Sequence, residues 1–314
     1  MNQDPTYTIY RYAFAALSQG HLFDDEPLNL YADSIVNDLL EIKQYEEAIE
    51  ASIIINLWME VVHNLHEVVR HCRLNDNDNA LHALDIAAAY WIGDGQSLGG
   101  NNDGYLLYAL AEQAGSLFNQ DFGETKVNSN IMDWMNKLKN DILVQGKCSS
   151  NSNLHVGVNA LVELRVLVDK IISQMSVPLL QNLYRNMRSG TDLAMVELYA
   201  VSFIPQVAGC NNSTYAYLLQ EFVSNKYATS HFKDIAKTLQ DSYSCLKITC
   251  EDVGSFGTVL PECVDRPSNG VMAGYVPTSN VTEVSGKDFG FFYILCLFLI
   301  YAVIVFFAMI VCRN

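Results

Sequence analysis

The sequence predicts an all-α protein: a helical bundle ectodomain followed by a single C-terminal transmembrane helix. Three observations predict it. Apolar residues recur at steps of three and four from Leu30 to Tyr243, little of the chain alternates as a strand does, and the chain ends in a long uncharged apolar run. That run, Phe289 to Cys312, reads FGFFYILCLFLIYAVIVFFAMIVC, 24 residues without a charge between Lys287-Asp288 and Arg313. At about 1.5 Å per residue it extends roughly 36 Å, enough for a bilayer core. A buried soluble helix of that length needs a polar face, and this one has none.

Residues 1–30 read as a peripheral segment. In 31–254, the helical ectodomain, Ile35, Leu39, Leu40 and Ile42 lead into Ile53, Ile54, Leu57, Trp58, Val61, Val62 and Leu65 at helical spacing. Arg73 to Asn79 (RLNDNDN) is a polar turn. Ala80 to Ile92 is an alanine-rich helix, and Gly93 to Gly104 (GDGQSLGGNNDG) a flexible loop. Tyr105 to Phe118 and Val127 to Val144 are the next helices. Leu154 to Met175 follows, with Pro178 as its stop. Leu179 to Met187, Leu193 to Ile204 and Ser213 to Tyr243 complete the helical part. Residues 255–288, rich in Gly, Pro and Ser, read as a cap and juxtamembrane stalk; 289–312 is the membrane helix and 313–314 a cytosolic tail.

An internal echo runs through the ectodomain. LHEVVRHCRLNDNDNALHALDIAAAYWIG (65–93) resembles LLQNLYRNMRSGTDLAMVELYAVSFIP (179–205), each a helix, a basic turn and a helix, with Asp85 matching Glu197. Two pseudo-repeats of one supersecondary unit would suit a pseudo-symmetric bundle.

The net charge of −16 repels nucleic acid and anionic headgroups, and suits cations or simple solubility. Two clusters carry candidate metal chemistry. Glu60, His63 and Glu67 share one helical face, at steps of three and four. A di-iron bundle needs a second Glu-x-x-His and further carboxylates, so a solvated polar face is the better reading and a metal site the alternative. The second cluster brackets the glycine loop: Asp85, Tyr90 and Asp94 before it, Tyr105, Tyr108 and Glu112 after it on one expected helical face. Phenolate and carboxylate oxygens suit ferric iron and other hard cations. GDGQSLGG is no phosphate-binding loop, since no Gly-Lys-Ser/Thr follows. No Gly-x-Ser-x-Gly and no Cys/His nucleophile signature appears, which argues against an enzyme.

Of eight cysteines, Cys296 and Cys312 lie in the apolar run. The other six, Cys72, Cys148, Cys210, Cys245, Cys250 and Cys263, allow three disulfides in any of fifteen pairings. Cys245 and Cys250 are expected to be oxidised, bridged directly or each to another partner. Sequons stand at Asn211, Asn212 and Asn280. Disulfides and sequons together favour a lumenal or extracellular domain on the plasma membrane or an endosomal membrane. The first 27 residues hold no apolar core of signal-peptide length, so that orientation implies an incomplete N-terminus.

LDIAAAYWIGDGQSLGGNNDGYLLYALAEQAGSLF, then VPLLQNLYRN, VELYAVSFIPQVAGC and DSYSCLKITCEDVG, resemble in order and spacing the iron-assimilation proteins of green algae and the related low-iron-induced phytotransferrins of diatoms. The resemblance covers roughly residues 80–254. It rests on Tyr90, Gly93, Tyr108 and Glu112 in the signature, Glu197 in the later helix, and Cys210, Cys245 and Cys250. The chain departs from the pattern at Gln113 to Ser116, where the family carries a basic residue and a cysteine, and at Asn182, where it carries a glycine. The resemblance implies a surface-anchored protein of high-affinity ferric iron uptake. Fe(III) would be held by tyrosines and carboxylates near the glycine loop, with Glu197 as a further ligand. Arg185 or Arg188 would hold a carbonate. A metal-free surface interaction or adhesion protein of the same fold is the alternative.

Overall fold

The computed structural model describes residues 31–97, 104–120, 125–149, 154–208, 210–257 and 259–265. They belong to one unit, Met1–Gly274; the second unit, Tyr275–Asn314, lies outside them, and with it the apolar run, Cys296, Cys312 and Asn280. Among the described residues every regular element is helical, and no helix is long and apolar enough to cross a membrane.

Helix α1 (Tyr31–Glu41) ends in a turn at Lys43, which takes a left-handed φ of 64°, so the expected continuous run from Leu30 is broken there. Helix α2 (Tyr45–Ala51) passes through a π-helical turn (Ser52–Leu57) into α3 (Trp58–Arg73). In α3 the buried side chains Trp58, Val61, Val62, Leu65, Val68 and Cys72 recur at steps of three and four. Its partner α4 (Asn77–Ile92) begins three residues before the alanine-rich stretch. Asp76 caps it, accepting from the Asn79 N–H at 3.1 Å. Helices α5 (Leu107–Leu117) and α6 (Lys126–Lys137) follow, the latter continued by a π-helical turn (Leu138–Leu143).

Helices α7 (Leu154–Met175) and α8 (Val177–Ser189) are separated by Ser176 alone. Pro178 therefore opens α8 at its second position rather than simply stopping α7. A proline is tolerated there because the first-turn N–H groups have no intrahelical partner. Helix α9 (Leu193–Ala208) runs on through Pro205. The expected stretch 213–243 is divided into α10 (Asn212–Leu219), a π-helical turn (Gln220–Ser224), a 3-10 turn (Thr229–His231) and α11 (Phe232–Gln240). Two single turns, α12 (Tyr243–Leu246) and α13 (Cys250–Val253), close the described part.

The core is built on α3, α8 and α9. Helix α3 packs on α4 and α7, α8 on α9 and α5, and α9 on α10 and α2. The two echoed segments are both helix hairpins, α3–α4 and α8–α9. Their turns share one device: a left-handed residue, Asn75 (φ 61°) or Gly190 (φ 60°), then an aspartate accepting from the N–H three residues on. Asp76 does so from Asn79, and Asp192 from Met195 at 3.0 Å.

All six described cysteines are paired, as Cys72–Cys148, Cys210–Cys245 and Cys250–Cys263. Cys245 and Cys250 thus take separate partners. The first bridge ties α3 to the 3-10 turn Lys147–Ser149, and the second the end of α9 to α12. The third pins the segment after α13, where Phe256 stacks on Phe118 with ring centroids 4.8 Å apart.

Tyrosines anchor the same interior. The Tyr184 and Tyr243 hydroxyls lie 3.0 Å apart, and Tyr199 donates to Glu50. Burial pushes all three phenols up, Tyr184 and Tyr199 well above the usual value. The unfolded chain ionises these groups near pH 10 while the folded chain keeps them protonated. Their contribution is therefore complete below that pH and is lost as the pH rises toward the folded values. Three such groups give a fall of roughly 4 kcal/mol per pH unit above pH 10. A titration followed at 295 nm should show accessible tyrosines ionising gradually and the buried ones abruptly, coincident with loss of helical circular dichroism. Ionisation of all tyrosines in one smooth curve, with the helices intact, would contradict this packing.

Candidate functional site

The glycine loop is closed at its mouth. Gly93 ends α4 with φ 82°, and a Cβ there would sit 2.9 Å from Leu106, so chain segments on the two sides of the loop touch. A second rung is the Gly104 N–H donating to Gln96 Oε1 at 3.1 Å. A Cβ at Gly104 would lie 2.6 Å from the same Oε1, so a side chain there would displace the Gln96 amide and break this rung. Around this mouth Tyr90, Asp94 and Tyr105 are exposed. Tyr105 precedes α5 rather than lying on it and is 86% exposed. The expected face of Tyr105, Tyr108 and Glu112 is therefore split. The backbone turns into the helix only at Leu107, which leaves Tyr105 in solvent and carries Tyr108 and Glu112 inward.

Glu112 has 0% of its surface exposed. Its Oε1 accepts from Thr125 Oγ1 at 2.8 Å and from Asn128 Nδ2 at 2.7 Å. Asn128 Nδ2 also donates to the Tyr108 carbonyl at 3.0 Å, and Asn128 Oδ1 accepts from Trp91 Nε1 at 3.0 Å. The network joins α4, α5 and α6 around one carboxylate, and Thr125 and Asn128 are uncharged donors. Sequence reasoning reached Glu112 and missed Trp91, Thr125 and Asn128. The available signal was Asn128 itself, a polar residue on the buried face otherwise formed by Val127, Ile131 and Met135.

The other candidates go elsewhere. Asp85 pairs with Lys139 at 3.0 Å on the surface, worth about 0–1 kcal/mol. Glu197 is exposed by its surface, yet lost hydration raises its carboxyl above the usual range, with Lys226 opposing. Glu60 accepts from Asn64 Nδ2 at 2.9 Å. Glu67 is held by Arg70, whose Nε donates at 2.7 and 2.8 Å, and that hydrogen bond keeps its carboxyl below the usual range. The Glu60, His63 and Glu67 face thus carries a carboxylate already matched to a guanidinium. Among the described residues no group of three or more His, Cys, Asp or Glu could hold a metal ion.

Arg185 and Arg188 are exposed on α8 and act on different tyrosines. Arg185 opposes the rise of Tyr199, and Arg188 that of Tyr227, which burial pushes up to about 12. Elsewhere, the Tyr199 phenol donates to the Glu50 carboxylate, with Arg185 close by and the π-helical turn after Glu50. No local pattern marks this contact, because 149 residues separate the pair.

No protein-family model, no curated protein and no solved structure matches the chain.

Glu112→Ala should strand the Thr125 hydroxyl and the Asn128 amide, at about 1–3 kcal/mol for each buried group left without its acceptor. Glu112→Gln keeps an acceptor oxygen and should cost less. In urea melts a loss below about 1 kcal/mol for Glu112→Ala would show that the network does not carry this interface.

Proposed function

We propose that the chain is the extracytoplasmic domain of a single-pass surface protein that binds ferric iron as cargo for uptake, anchored by the run from Phe289 to Cys312. The observation that carries the orientation is the pairing of all six cysteines outside that run, a pattern of oxidising compartments. Oxygen donors of the right hardness support the cargo. Tyr90, Asp94 and Tyr105 stand exposed around the closed loop mouth, two phenols and one carboxylate. Tyr108 and Glu112 are buried on α5, with Glu112 already accepting from Thr125 and Asn128, so the exposed three would bind first. A phenol must lose its proton to ligate the ion, so binding weakens on acidification, which suits release in an endosome.

The second reading, a metal-free interaction protein, is favoured by one observation. Leu40, Ile42, Tyr45 and Ile49 are exposed within ten residues of one another, an apolar stretch suited to a protein contact.

Full-length protein in detergent, titrated at neutral pH with ferric nitrilotriacetate and bicarbonate, should develop a visible tyrosinate-to-iron band. Tyr105→Phe and Asp94→Asn should each weaken binding about tenfold, equivalent to 1.4 kcal/mol. A band unchanged by either substitution would remove the site from the loop mouth. No band and no bound iron, with the six cysteines still paired, would leave the interaction reading.

A further inference from the structure

Two sequons overlap where α9 hands over to α10. Asn211-Asn212-Ser213 and Asn212-Ser213-Thr214 share two residues, and the structure treats the two asparagines differently. Asn211 has an extended backbone (φ −155°, ψ 111°) and caps α10, whereas Asn212 is already the first residue of that helix. Asn211 Oδ1 accepts from the Ser213 N–H at 2.9 Å, the Thr214 N–H at 3.2 Å and the Ser213 hydroxyl at 2.7 Å.

We propose that Asn211, rather than Asn212, carries an N-linked glycan. The inference rests on the extracytoplasmic reading above. Three features favour Asn211. Its residue is exposed. Its amide oxygen is turned into the helix N-terminus, which sets the amide nitrogen, on the other side of Cγ, away from those N–H groups. Finally, a sugar on that nitrogen leaves the oxygen free to accept as before, so the cap survives modification. Asn212 differs in its backbone, since the whole Asn212-Ser213-Thr214 triplet is wound into the first helical turn rather than extended ahead of it.

The donor class is an oligosaccharide linked to a lipid pyrophosphate. The Asn211 Nδ2–C1 bond forms as the C1–O bond to the pyrophosphate breaks. The lipid pyrophosphate leaves with the electron pair, and Nδ2 gives up one proton. A glycan at this point stands one residue from the Cys210–Cys245 bridge and keeps that end of α10 in solvent.

The test uses full-length protein from the membranes of a glycosylating eukaryotic host. Peptide-N-glycosidase treatment in oxygen-18 water, followed by peptide mass spectrometry, should place the heavy-oxygen tag on Asn211. Ser213→Ala destroys that sequon, leaves Asn-Ala-Thr at Asn212 and keeps both backbone donors to the cap, so it should remove the tag from Asn211. Thr214→Ala destroys only the Asn212 sequon and should leave occupancy unchanged. A tag on Asn212, or abolition by Thr214→Ala, overturns the assignment. Bare asparagines with Cys210–Cys245 intact overturn it while sparing the extracytoplasmic reading. Bare asparagines with free thiols overturn both.

Discussion

Glu112 carries a carboxylate to a place with no exposed surface, and the contact of three helices is arranged to replace the water it gave up. Leaving such a group without partners costs several kcal/mol, so the fold must bring donors to it. Asn128 is the central piece. Its amide nitrogen serves both Glu112 and the Tyr108 carbonyl, while its oxygen takes the Trp91 N–H. The register of α6 against α5, and of both against Trp91 at the end of α4, is thereby fixed by hydrogen-bond geometry as well as by apolar packing. The closed loop mouth depends on it in turn, because Gly93 and Leu106 meet only if α4 ends and α5 begins in that register.

Much of the architecture was legible. The helical spacing of α3, the hairpins of the internal echo and the need to oxidise Cys245 and Cys250 are local or compositional facts. The errors have local physical causes. Pro178 looks like a terminator from the side of α7 and serves as an initiator from the side of α8, which spacing alone cannot tell apart. Ala80 looks like a helix start because the alanines are conspicuous, yet the Asp76 side chain caps a helix that begins at Asn77, three residues earlier. Tyr105 fits the periodicity of α5 and lies outside it because the turn into the helix comes at Leu107. The Tyr199–Glu50 contact and the pairing of the cysteines were illegible for one reason: both join distant parts of the chain, and neither leaves a local pattern.

The disulfides follow the same division. One ties α3 to the 3-10 turn at Lys147–Ser149, across 76 residues of sequence, and restricts the unfolded chain most. The shortest, across 13 residues, acts locally and shapes the segment that lays Phe256 on Phe118. Gly254 permits that approach: its φ is 80°, and a Cβ would come within 2.4 Å of the Phe118 carbonyl. Phe118 ends the helix that holds Glu112, so the last bridge reaches the buried carboxylate through a single stacked ring.

This connection limits what the candidate site can do. A hard cation drawn to Glu112 would compete with Thr125 and Asn128 for the same oxygen, and each displaced donor would lose its partner inside the protein. Ligation at Glu112 and cohesion of α4, α5 and α6 therefore oppose one another. Tyr90, Asp94 and Tyr105 are under no such constraint, because they are exposed to water and none of them belongs to the network around Glu112. A ligand engaging those three leaves the interior network whole. One that reached Glu112 would have to loosen the bundle, and its affinity would fall by whatever the network contributes to stability.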